Sequence, residues 1–157
     1  MLSKLVNIYG GSMIKVSSKL DCGLRALTLL ARSYNKEVLS LNKISKLEDI
    51  PRDFLAQIML ELKRKNIVES YKGVLGGYVL KRSPSEITLK EIFEALEGPI
   101  QIIDCIHTYD SSCTLKNSCL NKKIWVYIEE KLINILEDLT LEDIILGIER
   151  KEEFLSL

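Results

Sequence analysis

Apolar residues recur at spacings of three and four along several stretches of the chain, and each such stretch predicts a helix with one face turned to a core. Leu20, Leu24, Leu27, Ala31 and Tyr34 place the first at about residues 17–34, with Ser17 or Ser18 as its cap. A short second helix is expected at about 41–47, capped by Ser40, with Ile44 and Leu47 turned inward. After a tight turn at 48–50, Pro51 suits the first position of a third helix, because its missing N–H would have no partner there. This helix, 51–65, has Phe54, Leu55, Ile58, Met59 and Leu62 on its apolar face and Arg52, Asp53, Ala56, Gln57, Lys63 and Arg64 on its outer face. Two strands, 66–71 and 78–81, flank a glycine-rich turn. Thr88 and Glu91 form a capping box that opens a helix to about Glu97, with Ile92, Phe93 and Leu96 apolar, and Gly98-Pro99 ends it. Further on, Ile124, Ile128, Leu132, Ile135 and Leu139, with Trp125, Ile133 and Leu136 alongside, predict a long helix whose apolar stripe is wider than one neighbour requires. Such a helix suits pairing with a second copy. Thr140 caps a last short helix.

The expected fold is mainly α with a small β-hairpin. Two short helices joined by a tight turn, the second with a basic outer face, followed by a hairpin, make a winged helix-turn-helix. The glycines of the turn do not make a nucleotide loop, because GVLGGY lacks the Gly-Lys-Ser/Thr ending and no helix follows it. Residues 1–12 read as an N-terminal arm or upstream extension, with Met13 as a second candidate start. Residues 13–98 form the DNA-binding unit, 99–120 a cysteine loop, 121–148 the dimerisation helix and a capping helix, and 149–157 a tail.

Net charge is zero, yet residues 1–82 carry 15 Lys/Arg against 7 Asp/Glu and residues 83–157 carry 7 against 15. A basic half is the footprint of a phosphate-binding surface. On it, Arg52 and Gln57 are the leading candidates to read bases, Lys63 and Arg64 face phosphate, and Arg25 and Lys43 are further backbone contacts. One histidine, no nucleophile–base pairing and no cofactor fingerprint argue against an enzyme and against a small-molecule substrate. No apolar run reaches the roughly 18 residues of a membrane span.

Three of the four cysteines fall in one polar stretch without helical or strand period, as Cys105, Cys113 and Cys119, spaced C-x7-C-x5-C. Without a secretory signal, spaced thiols are ligands or redox groups more often than disulfides, which places the protein in the cytoplasm. Cys22 lies apart in an apolar helical pattern, where a small buried hydrophobe is the simplest reading.

The segments LDCGLRALTLLA (20–31), IPRDFLAQIMLELKRKNIVES (50–70) and KGVLGGYVLKRSPSEITLKEIFEALEGP (72–99), the three-cysteine loop, Trp125 and TLEDI (140–144) together resemble the Rrf2 family of bacterial transcription regulators. The resemblance spans about residues 13–148. It implies a homodimeric winged helix-turn-helix repressor that binds a double-stranded DNA operator. In cluster-binding members, three cysteines ligate an iron–sulfur cluster, here [4Fe–4S] or [2Fe–2S] on Cys105, Cys113 and Cys119. Thiolates are the preferred ligands of such clusters. Zinc on the three thiols and His107 is the structural alternative, but spacings of seven and five lack the C-x2-4-C knuckle usual in zinc sites.

The resemblance also frames the fourth ligand. One branch of the family uses a histidine soon after the third cysteine, where this chain has Leu120, Asn121 and Lys122. The nitric-oxide-responsive branch uses an aspartate of the partner subunit before a Tyr-x-Leu-Arg motif. Asp21-Cys22-Gly23-Leu24-Arg25 places Asp21 at that position, with Cys22 where an aromatic residue is usual. Asp21, Cys22, His107 and an exogenous group are thus the alternatives. Lys72 matches a basic wing-tip residue that enters the minor groove in similar proteins. The expected function is a regulator whose operator affinity follows its cluster, sensing nitric oxide, redox or iron–sulfur status. The alternative is a cluster-free member that uses thiol oxidation or a protein effector.

Overall fold

The computed structural model describes residues 16–103 and 119–149. The expected N-terminal arm, the tail, and Cys105, His107 and Cys113 lie outside the described residues. Helix α1 spans Ser18–Arg32, and Ser17 Oγ caps it by accepting from the Leu20 N–H at 3.0 Å. Helix α2, Leu41–Glu48, is capped in the same way by Ser40, which accepts from the Lys43 N–H at 3.2 Å. It ends at Asp49 in the left-handed conformation, φ 51°, and Ser45 Oγ donates to the Ile50 carbonyl at 2.6 Å to close the turn. Helix α3 runs Arg52–Arg64, so Pro51 stands one place outside it as the N-cap and not as its first residue.

Strands β1, Val68–Tyr71, and β2, Gly77–Leu80, pair antiparallel with Val68 opposite Leu80 and Tyr71 opposite Gly77. The first begins two residues later than the sequence pattern suggests, and the second has the expected length but starts and ends one residue earlier. A third segment, unforeseen in the sequence, joins them: the Leu39 N–H donates to the Tyr78 carbonyl at 3.1 Å, and the Tyr78 N–H donates to the Leu39 carbonyl at 2.8 Å. The chain between α1 and α2 is thereby tied to the wing.

Helix α4, Leu89–Glu97, opens on the expected capping box. Thr88 Oγ1 accepts from the Glu91 N–H at 3.2 Å and Glu91 accepts from the Thr88 N–H at 3.1 Å. Helices α5, Leu120–Asp138, and α6, Leu141–Glu149, complete the fold. Thr140 and Asp143 repeat the box at the start of α6, with bonds of 2.8 and 3.3 Å. The two boxes lie side by side, because the Leu89 N–H donates to the Leu139 carbonyl at 2.8 Å and the Leu141 N–H donates to the Ile87 carbonyl at 3.0 Å.

One core serves all of this. Leu27, Ile44, Leu55, Ile58, Met59, Leu62, Ile92 and Leu141 have no exposed surface, and each such side chain contributes about 1.5–3 kcal/mol by leaving water. Tyr34 and Phe54 pack half-buried at its margin. Leu47, expected inside, is 59% exposed; the turn at Asp49 brings Ile50 into the core beyond Ile44 instead, 2% exposed. Gly23 lets α1 approach α4, since a Cβ there would overlap Leu96 and lie 3.3 Å from Ile58.

Gly77 has a stricter requirement, because a Cβ would overlap the backbone carbonyl of Leu39 and break the third-segment pairing. Gly77→Ala is expected to lower the unfolding free energy in urea by about 1–3 kcal/mol. Gly73→Ala, where φ is 108° but the surroundings are open, is expected to cost only about 1 kcal/mol.

Candidate nucleic-acid interface and cysteine segment

The second helix of the helix-turn-helix presents Arg52, Gln57, Lys63 and Arg64 to solvent, as the sequence pattern suggests, whereas Ala56 is half-buried and does not belong to that outer face. Arg52 is positioned from α2: its Nε donates to Asn42 Oδ1 at 2.8 Å, while Asp53 lies 3.7 Å from its Nη1. Lys63 Nζ donates to Ser70 Oγ, which ties the end of α3 to β1. Lys72 is exposed in the turn of the wing beside Val74 and Leu75, whose side chains are 104% and 92% exposed. The sequence pattern places both in the glycine-rich turn, and the structure adds that they form an exposed apolar wing tip. Lys43 is engaged with Glu37 at 2.7 Å.

Asp21 sits in the first turn of α1, exposed. Arg25, one turn later, is shared between two acidic partners. Its Nη1 lies 3.7 Å from Asp21, its Nε donates to Glu48 at 3.2 Å, and its Nη2 donates to the Glu48 carbonyl at the end of α2. A single guanidinium therefore links the candidate fourth ligand to the helix-turn-helix. Cys22, beside Asp21, is half-buried against the core, which agrees with the small-hydrophobe reading.

Of the three loop cysteines, the structure describes Cys119. It is the N-cap of α5, half-buried, and in no disulfide. A ligand sulfur there would set an anionic cluster beside the first-turn N–H groups, which have no acceptor within their own helix. The donor set of three thiols fits an iron–sulfur group chemically.

Helix α5 leaves most of its apolar stripe uncovered within one chain. Leu120 is 80% exposed, Ile124 57% and Ile135 56%, with Trp125, Tyr127, Ile128 and Leu132 also exposed. Leu136 turns inward. So does Glu129, 5% exposed, which accepts the Ile102 N–H at 2.9 Å. Ile102 lies three residues before Cys105, and Glu129 lies ten residues beyond Cys119, about 15 Å along the helix axis at 1.5 Å per residue. The cysteine segment thus leaves α4 tethered to the middle of α5 and re-enters at its first turn. Glu129 was not singled out from the sequence. Its place four residues after Trp125 and seven before Leu136, on the same helical face, is the signal that could have found it.

The Rrf2 family profile, described as an iron-dependent transcriptional regulator, matches residues 16–146. The chain is 28% identical over 131 residues to the HTH-type transcriptional regulator CymR of Bacillus subtilis, covering 83% of this chain and 89% of that one. It is 26% identical over 148 residues to the HTH-type transcriptional regulator NsrR of Bacillus licheniformis, covering 91% and 100%. Among solved structures, B. subtilis CymR, described as the global cysteine regulator, superposes with a TM-score of 0.71 at 28% identity over 85% of this chain and 97% of that one. T. potens IscR superposes with a TM-score of 0.71 at 25% identity over 88% and 91%. Among the described residues, no helix is long and apolar enough to cross a membrane.

The tether at Glu129 is directly measurable. Glu129→Gln keeps an oxygen acceptor and should leave the Ile102 amide protected from hydrogen exchange. Glu129→Leu removes the acceptor and should speed exchange about tenfold, matching ~1.4 kcal/mol for one lost buried hydrogen bond.

Proposed function

Because the chain belongs to the Rrf2 family of transcription regulators, we propose that it is a homodimeric, cytoplasmic repressor that binds a duplex operator and is switched by an iron–sulfur cluster on Cys105, Cys113 and Cys119. The observation that carries this reading is that Cys119 is the N-cap of α5, the helix whose apolar face is left uncovered. Ligand and dimer seam are then parts of one rigid element. The bound cluster would supply a labile iron that reacts with nitric oxide or oxidant, or is lost when iron is scarce. Everything else is done by the chain itself. Leu120, Ile124, Ile128 and Ile135 would bury against the second copy. Asp21 of the partner subunit is the first candidate for the fourth ligand, ahead of Cys22 and His107. Ligation would withdraw Asp21 from Arg25, which is otherwise shared between Asp21 and Glu48, and leave the guanidinium to the contact that closes α2. Arg52, Gln57, Lys63, Arg64 and Lys72 would meet the operator, with α3 in the major groove and the wing in the adjacent minor groove. A coupling of about 1–3 kcal/mol between ligation and DNA binding is enough to change operator occupancy.

Anaerobic purification followed by visible spectroscopy with iron and sulfide analysis tests the reading, on wild type and on Cys119→Ala and Cys113→Ala. The expected result is broad cluster absorption in wild type, lost in both variants and bleached by nitric oxide. A colourless protein free of iron and sulfide that still represses would overturn the cluster and select the thiol-oxidation or protein-effector alternative.

A further inference from the structure

An open cleft of about 480 Å³ separates the starts of α2 and α3 from the wing. Ser40, Asn42, Arg52, Ser70, Tyr71 and Gly76 are among the residues that line it. This lining is rich in hydroxyls, one side-chain amide and one guanidinium, and its position is set by topology. If α3 occupies the major groove and the wing the neighbouring minor groove, the sugar–phosphate ridge that separates those grooves must run between the two elements. The cleft is the space between them.

Resting on the DNA-binding reading above, we infer that this cleft is a clamp for that ridge, in which Arg52 grips a backbone phosphate and Asn42 is the residue that positions it. Arg52 begins α3, and its Nε is already taken by Asn42 Oδ1 at 2.8 Å, which fixes the guanidinium plane and leaves the two terminal nitrogens to face a ligand. A guanidinium held by its Nε presents the fork that matches two phosphate oxygens. The ion pair with Asp53 does not compete strongly, since it is long at 3.7 Å and Asp53 is 97% exposed. Ser40 and Ser70, on opposite walls, supply hydroxyl donors of the kind that contact phosphate. Arg52 accordingly anchors register and affinity, and base reading falls to Gln57 deeper along α3.

The test uses the full-length protein and an operator selected by wild type from a random duplex pool. Binding is titrated across salt concentrations on that operator and on its single-base-pair variants, for wild type, Arg52→Ala, Asn42→Ala and the double variant. Arg52→Ala should weaken binding to every duplex by a similar factor, about tenfold, and should reduce the slope of log affinity against log salt by about 1. Asn42→Ala should act in the same direction but less, and the double variant should bind no worse than Arg52→Ala alone. Loss of preference at one base pair with an unchanged slope would make Arg52 a base reader and overturn the clamp. Wild-type behaviour of Asn42→Ala would overturn its positioning role. Failure of wild type to select any operator would instead refute the regulator reading, and the slope comparison on unselected duplex would still judge the clamp.

Discussion

Two backbone hydrogen bonds, Leu89 to Leu139 and Leu141 to Ile87, hold the cysteine-bearing half of the chain against the DNA-reading half. They join the start of α4 to the start of α6 at the one place where both helices are opened by capping boxes, so the donors that would otherwise be orphaned at two helix ends are satisfied together. Lys90 and Glu137, 3.1 Å apart, close the same junction from the outside. Helix α6 can then lie on α1, and α5 on α4. The long helix is consequently a strut of the reading head, and a constraint applied at its N-cap acts on a body that includes the helix-turn-helix.

The strut has two attachments to the cysteine segment. Cys119 is its N-cap, and Glu129, buried within it, takes the backbone N–H of Ile102 near the start of the segment. A second link lies at the start of α1, where Arg25 joins Asp21 to the closing turn of α2. These two routes differ in kind. The first runs through a helix that in a dimer would be shared with the other copy, and the second runs within one head, through a single exposed guanidinium. The operator side is correspondingly prepared: Asn42 orients Arg52 and Ser70 restrains Lys63, so that cationic side chains on α3 are held from α2 and from the wing.

Much of this was legible in the sequence because it rests on local rules. Ser17, Ser40 and Thr88 cap the helices their spacing suggests, and the apolar periods of α1, α3 and α4 turn the expected leucines and isoleucines inward. The uncovered stripe of α5 was legible too, as an apolar face too wide for one neighbour. What escaped depends on contacts between elements distant in sequence. The pairing of Leu39 with Tyr78 needs two segments nearly forty residues apart to meet, and no local pattern encodes it. The burial of Glu129 and the Asn42–Arg52 bond arise only once helices are packed. Leu47 was misplaced because the left-handed turn at Asp49 moves Ile50 into the space that helical periodicity alone would give to Leu47.

If the cluster acts as proposed, the state of the cysteine segment is felt at the operator. The most direct measurement compares operator affinity for cluster-loaded protein and for the same preparation after anaerobic removal of iron, at one salt concentration. Affinities that differ by about tenfold or more, equivalent to ~1.4 kcal/mol of coupling, are expected. Equal affinities in the two states would contradict the proposed switch.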